Sequence, residues 1–126
     1  MRIIIAVVVV FCSLGSYAAQ KKFGNCREIE PVELNAWITA KQKILLIDVR
    51  QTKEFQKKHL PTAISAYTDK DLKNISDSID SESVVVVYGT NTDEGFNACF
   101  LMAQYGLTSV YSLRGGFDLW RKLGYK

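Results

Sequence analysis

The residues of this chain able to do chemistry fall in a few places. Cys12, Cys26 and Cys99 are its sulfur nucleophiles or disulfide partners, and His59 is its single histidine. Asp48-Val49-Arg50 closes one apolar run. That triplet either handles an anion through Arg50 or forms an ion pair among Asp48, Arg50 and Glu54 that fixes a turn; the sequence favours the turn. Gly89-Thr90-Asn91-Thr92-Asp93-Glu94-Gly95 follows a second apolar run and Arg114-Gly115-Gly116 a third. A loop that leads into a helix can cradle an anion with its backbone N–H groups. The Gly115-Gly116 pair lacks the surrounding GxGxxG pattern of a nucleotide site and reads as a turn and helix start. A Cys/His zinc site would consume almost every candidate ligand in the chain. Asp69-Lys70-Asp71 and the acids of Ser76 to Glu82 lack the glycine and spacing of a calcium loop and read as a solvated rim. No metal and no cofactor is implied.

These residues need elements to position them. Ile44-Leu45-Leu46-Ile47 and Val84-Val85-Val86-Val87-Tyr88 are continuous apolar runs, as parallel strands buried on both faces should be. Val110 to Leu113 is a third strand, with Arg27 to Ile29 and Ala63 to Ser65 as weaker edge candidates. Helices are expected over Val32 to Ala40, Thr52 to Lys58, Gly95 to Tyr105 and Phe117 to Leu123, the third with Phe96, Cys99, Phe100, Met102 and Ala103 at inward-capable positions. Gly106 ends that helix in the left-handed conformation. Ser76 to Ser83 reads as a brief acidic loop. Strands alternating with helices predict an α/β domain whose five-stranded, mostly parallel sheet carries helices on both faces. In such sheets ligands collect where loops leave the carboxyl ends of the strands. The loops after Ile47 and Tyr88 are therefore the places to search.

The 126 residues are 48% hydrophobic and 23% charged, with a formal charge of +3, which describes one ordinary domain and excludes disorder or a disulfide-built miniprotein. No Lys/Arg cluster interleaved with aromatics supports nucleic-acid binding. Met1-Arg2, the apolar run Ile3 to Leu14 and the small residues Gly15 to Ala19 read as a secretory signal peptide over 1–18, cut after Ala18. About twelve apolar residues span only about 18 Å of helix against a hydrocarbon core of about 30 Å, so no stable membrane anchor is expected. Cys12 follows Phe11 where a lipidated cysteine needs a small neighbour. Residues 19–26 form a polar, loosely ordered lead-in, and 27–126 the folded domain. Export places the chain in the periplasm or outside the cell, where disulfides persist.

Ile29-Glu30-Pro31-Val32-Glu33-Leu34, Leu46-Ile47-Asp48-Val49-Arg50 with Glu54-Phe55, Lys58-His59-Leu60-Pro61-Thr62-Ala63-Ile64, and Val110 to Trp120 with Gly124-Tyr125 resemble, in order, blocks of the rhodanese (thiosulfate sulfurtransferase-like) family. The resemblance implies a single rhodanese-like fold. It also implies that the residue after strand Val84–Tyr88 should be a cysteine that accepts sulfane sulfur as a persulfide. Here that position is Gly89, and the family's loop glycine, arginine and hydroxyl positions hold Thr92, Glu94 and Gly95. Asp93 and Glu94 stand where relatives place a cation, and two like charges about 5 Å apart interact by about 3 kcal/mol at an effective dielectric of 20. That opposes thiosulfate, phosphate or arsenate.

Cys99 is the tempting substitute nucleophile; the plainer reading is a buried core thiol. Cys26 and Cys99 form a possible disulfide, although an edge strand and a helix need not approach closely enough for one. In the resemblance, His59 belongs to the turn before Pro61. Asn74-Ile75-Ser76 matches a glycosylation acceptor. The expectation is an exported, non-catalytic rhodanese-like domain acting as a binding or regulatory module. Its recognition surface would be Gly89 to Gly95 with a rim of Asp48, Arg50 and Arg114, and it would take a protein partner of basic character. The alternative is a sulfurtransferase with a relocated thiol at Cys26 or Cys99.

Overall fold

The three Val/Leu/Ile runs lie side by side at the centre of the sheet. The computed structural model describes residues 22–23 and 26–126; the expected signal peptide and Cys12 lie outside them. The strands are β1 (Lys22–Phe23), β2 (Cys26–Ile29), β3 (Leu45–Asp48), β4 (Ile64–Ser65), β5 (Val84–Tyr88) and β6 (Ser109–Leu113), in the order β1-β2-β6-β5-β3-β4. Five are parallel, and β1 pairs antiparallel with β2. The lead-in therefore contributes a strand, and β2 is not the edge of the sheet.

Five helices cover the two faces: α1 (Pro31–Thr39), α2 (Thr52–Lys57), α3 (Asp69–Ser78), α4 (Thr92–Gln104) and α5 (Gly116–Lys122). Side chains alternate across β5. Val85 and Val87 join Ile47, Val110, Leu72 of α3 and Ala98 and Met102 of α4 on one side. Val86 and Tyr88 join Leu46, Leu113, Leu34 of α1 and Phe117 and Trp120 of α5 on the other, with Phe55 of α2 packed against them. Residues 85–88 of β5 thus reach a core whichever way they point, which is why that run lacks polar alternation.

Two expectations are corrected here. Residues 69–78 form α3 instead of a rim that runs into an acidic loop. Its Thr68 cap and Asp71 make a reciprocal capping box, and Leu72, Ile75 and Ser76 turn inward while the acids face water. The Asn74-Ile75-Ser76 triplet accordingly lies within a helix. Helix α4 begins at Thr92 with Asn91 as its cap, so Thr92, Asp93, Glu94 and Gly95 are its first turn and only Gly89 to Asn91 are loop. Among the described residues no helix is long and apolar enough to cross a membrane.

Candidate functional site

The carboxyl ends of β3 and β5 meet through a buried polar network. The Asp48 carboxylate is fully buried and accepts from the Arg50 guanidinium at three points, the shortest Nη2 to Oδ2 at 2.7 Å, and from the Arg50 backbone N–H at 2.9 Å. It also accepts from the Tyr88 hydroxyl at 2.6 Å. That hydroxyl in turn accepts from the Leu60 backbone N–H at 3.1 Å, and Arg50 Nη2 donates to the Lys58 carbonyl at 2.6 Å. Burial first, and then its bond to Asp48, push the Tyr88 hydroxyl far above the ordinary tyrosine range, so it stays protonated. Burial lowers the Arg50 pKa, but the hydrogen bonds and charge of Asp48 outweigh it and the net shift is upward. The Arg50 guanidinium lies 3.8 Å from the centre of the Phe117 ring.

This geometry corrects the expected rim. Asp48 and Arg50 are buried, and Arg114 pairs with Glu30 at 2.6 Å across β2 and β6. Glu54 takes no part in the Asp48–Arg50 pair. Tyr88, which the strand reading treated only as an apolar position, is the third member of the network. A tyrosine ending a run of valines in a central strand is the signal, because its hydroxyl needs a partner once buried.

Beyond Tyr88 the chain forms a cradle that is filled from within. Glu94 Oε2 accepts from the Thr90 backbone N–H at 2.7 Å, so the side chain folds back across the loop mouth. A Cβ placed on Gly89 would fall 2.3 Å from Glu94 Cβ and 2.8 Å from its Oε2. The space that a side chain at 89 would need is thus taken by Glu94. The loop is clamped from behind by α5. Phe117 N–H donates to Gly89 O at 2.8 Å, Asp118 N–H to Thr90 O at 3.1 Å, and Gly115 N–H to Thr92 Oγ1 at 2.7 Å. Gly116 has a φ of +57°, and a Cβ there would stand 2.6 Å from Gly89 O. The glycine pair is therefore a docking point for the loop as well as a turn.

Cys26 of β2 and Cys99 of α4 are joined as a disulfide, with Cα atoms 5.6 Å apart and both residues buried. The disulfide that the sequence left open is formed, because β2 is not the edge strand that was expected. Strand β6 lies beside β2, and α4 packs over both, which carries Cys99 above the start of β2. Neither sulfur is a free thiol, so Cys99 is a half-cystine and not a core thiol. His59 is exposed, stacked on Phe55 at 4.0 Å, with Nδ1 2.9 Å from the Phe55 carbonyl oxygen. Among the described residues no group of three His, Cys, Asp or Glu side chains could hold a metal ion.

Next to the cradle, on the α3/α4 side of the sheet, lies an open groove of about 820 Å³. Its walls include Arg50, Glu54, Tyr67, Asp69, Glu94 and Phe100. Tyr67 is 53% and Phe100 42% exposed. Phe100, expected to point inward, faces this groove.

Known proteins fit this geometry. The family model described as "Rhodanese-like domain" matches residues 30–123. A thiosulfate sulfurtransferase GlpE from Pseudomonas savastanoi pv. phaseolicola is 38% identical over 85 residues, covering 64% of this chain and 74% of its own. The protein of that name from Coxiella burnetii is 30% identical over 89 residues, covering 70% of this chain and 82% of its own. Among solved structures, the BH2092 protein of Bacillus halodurans superposes with a TM-score of 0.71 at 27% identity, covering 79% of this chain and 74% of its own. The human single-domain sulfurtransferase TSTD1 gives 0.68 at 17% identity, covering 75% and 95% respectively. With its parallel sheet and its loop after β5 docked on a glycine pair, the chain belongs to the rhodanese-like domain family.

Proposed function

We propose that this chain is an exported rhodanese-like domain without sulfurtransferase activity, working as a binding or regulatory module with Gly89 to Gly95 as its recognition surface. The observation that carries this reading is the filled cradle. Persulfide transfer needs a thiolate at the loop start and positive charge around it. Position 89 has no side chain, and the nearest charged group is the Glu94 carboxylate. An incoming thiosulfate would have to displace that carboxylate from the Thr90 N–H. The buried Cys26–Cys99 disulfide supports export, since disulfides persist in oxidising compartments. It also removes the thiols on which a relocated nucleophile would depend. A binding surface that carries Asp93 and Glu94 suits a partner of basic character.

The names of the GlpE relatives favour the opposite reading, and one experiment separates the two. Incubation of the unreduced protein with thiosulfate and cyanide should give no thiocyanate above a heat-treated control. Intact mass after thiosulfate alone should show no adduct of about 32 Da, the mass of one added sulfur. Turnover at the rate of a GlpE enzyme run in parallel sinks the proposal.

A further inference from the structure

We propose that the groove between α3 and α4 is a docking site for an arginine-bearing segment of a partner protein, whose guanidinium lies between Tyr67 and Phe100 and meets Glu54, Asp69 and Glu94. This rests on the reading of the cradle as a recognition surface, and it places the main contact beside the loop.

Three features carry the inference. First, the groove holds about 820 Å³, within the range of pockets that bind ligands, and it is open along one side, as a polypeptide requires. Second, two large aromatic side chains on its walls remain about half exposed. A solvated acidic rim has no need of them, whereas ring faces attract cations and stack on planar guanidinium groups. Third, the charge is one-sided. Glu54, Asp69 and Glu94 line the groove and join no ion pair among the described residues. The one cation in the walls, Arg50, is neutralised by Asp48 at 2.7 Å. The chain as a whole is formally +3, so this patch is negative against the overall field and selects by contact instead of by long-range steering. Arginine fits better than lysine because its planar fork can pair with a carboxylate and stack on a ring at once.

The test is a titration of the full, disulfide-intact chain with a fluorescein-labelled nonapeptide of alternating Gly and Arg. The comparison peptide carries citrulline, an uncharged isostere, in place of Arg. Saturable binding is expected, weaker by about tenfold or more for the citrulline peptide, since losing a charge-assisted contact costs about 1.5–3 kcal/mol. Phe100→Ser and Asp69→Asn, both at exposed positions, should each weaken the Arg peptide by about two- to fivefold while leaving the circular dichroism unchanged. Amide shifts on titration should cluster at Tyr67 to Leu72 and Asn97 to Leu101.

Absence of saturable binding, equal binding of the two peptides, shifts clustered elsewhere, or variants that bind as the parent does would each overturn the proposal. Concentration-dependent dimerisation that the Arg peptide competes away would overturn the partner and give the groove to a second copy. Thiocyanate assays on the same preparation keep the two readings apart. Groove binding together with sulfur transfer overturns only the non-catalytic reading, and neither binding nor transfer overturns only the groove.

Discussion

At residue scale the decisive relation is between Gly89 and Glu94. The resemblance to the rhodanese family implies that both positions depart from the family pattern, with a nucleophile expected at one and a cation at the other. It left open that the two departures occupy the same volume. The sequence reads Glu94 as a carboxylate that opposes an anion; the structure adds that this carboxylate, although exposed, accepts from the Thr90 backbone N–H of the same loop. A prediction follows for the obvious rescue variant. Gly89→Cys places a Cβ 2.3 Å from Glu94 Cβ, an atom fixed to the first turn of α4 and unable to swing away. The substitution should therefore cost about 1–3 kcal/mol as overpacking and yield no thiocyanate. In Gly89→Cys/Glu94→Gly the close contact disappears. Urea unfolding of the parent, the two single variants and the double variant should then give a favourable coupling of about 0.5–3 kcal/mol. Strictly additive costs would show that the loop has room for a side chain at 89.

The elements show why a disulfide that looked unfavourable in the sequence is present. Chain order places Cys26 at the first parallel strand and Cys99 deep in the fourth helix, 73 residues later. Only the strand order makes them neighbours, and that order is set by long-range pairing that no local pattern encodes. The same limit explains α3. Its sequence is polar on most sides, and what makes it a helix is the Thr68 capping box together with Leu72 and Ile75 meeting α4 and the sheet. By contrast β3, β5 and β6 were legible, because central parallel strands advertise themselves as unbroken apolar runs. A crosslink over 73 residues is expected to stabilise by about 4 kcal/mol if its effect is to restrict the unfolded chain. Cys26→Ala/Cys99→Ala should lower the urea-derived stability by about that amount or more, since the two sulfurs also fill core space. Because the two residues are half-cystines, alkylation in urea without reductant should leave both unlabelled, and prior reduction in urea should add two further labels, at Cys26 and Cys99. A variant as stable as the parent would show that the unfolded chain is already confined.

Across the whole molecule, the Asp48–Arg50–Tyr88 network ties the connection between α2 and β4 to two strand ends that the sheet already sets side by side. Asp48 ends β3, Tyr88 ends β5, and Lys58 and Leu60 belong to the connection between α2 and β4. Removing a member strands the others in the interior. Tyr88→Phe takes a donor from Asp48 and an acceptor from the Leu60 N–H, at a cost of about 1–3 kcal/mol near neutral pH. The network also gives stability an alkaline limit. Burial and the bond to Asp48 raise the Tyr88 pKa in the folded state. Above the ordinary tyrosine pKa of about 10 the unfolded chain loses this proton while the folded chain keeps it. The unfolded state then binds fewer protons, so stability is unaffected by Tyr88 below about pH 10 and falls as pH rises beyond it. Urea midpoints between about pH 8 and pH 11 should therefore drop more steeply for the parent than for Tyr88→Phe, even though the variant starts lower. Every other ionisable group is common to the two proteins, so the difference in slope isolates Tyr88. Parallel curves would mean that the hydroxyl ionises as readily in the fold as in the unfolded chain, which its bonds to Asp48 and Leu60 oppose.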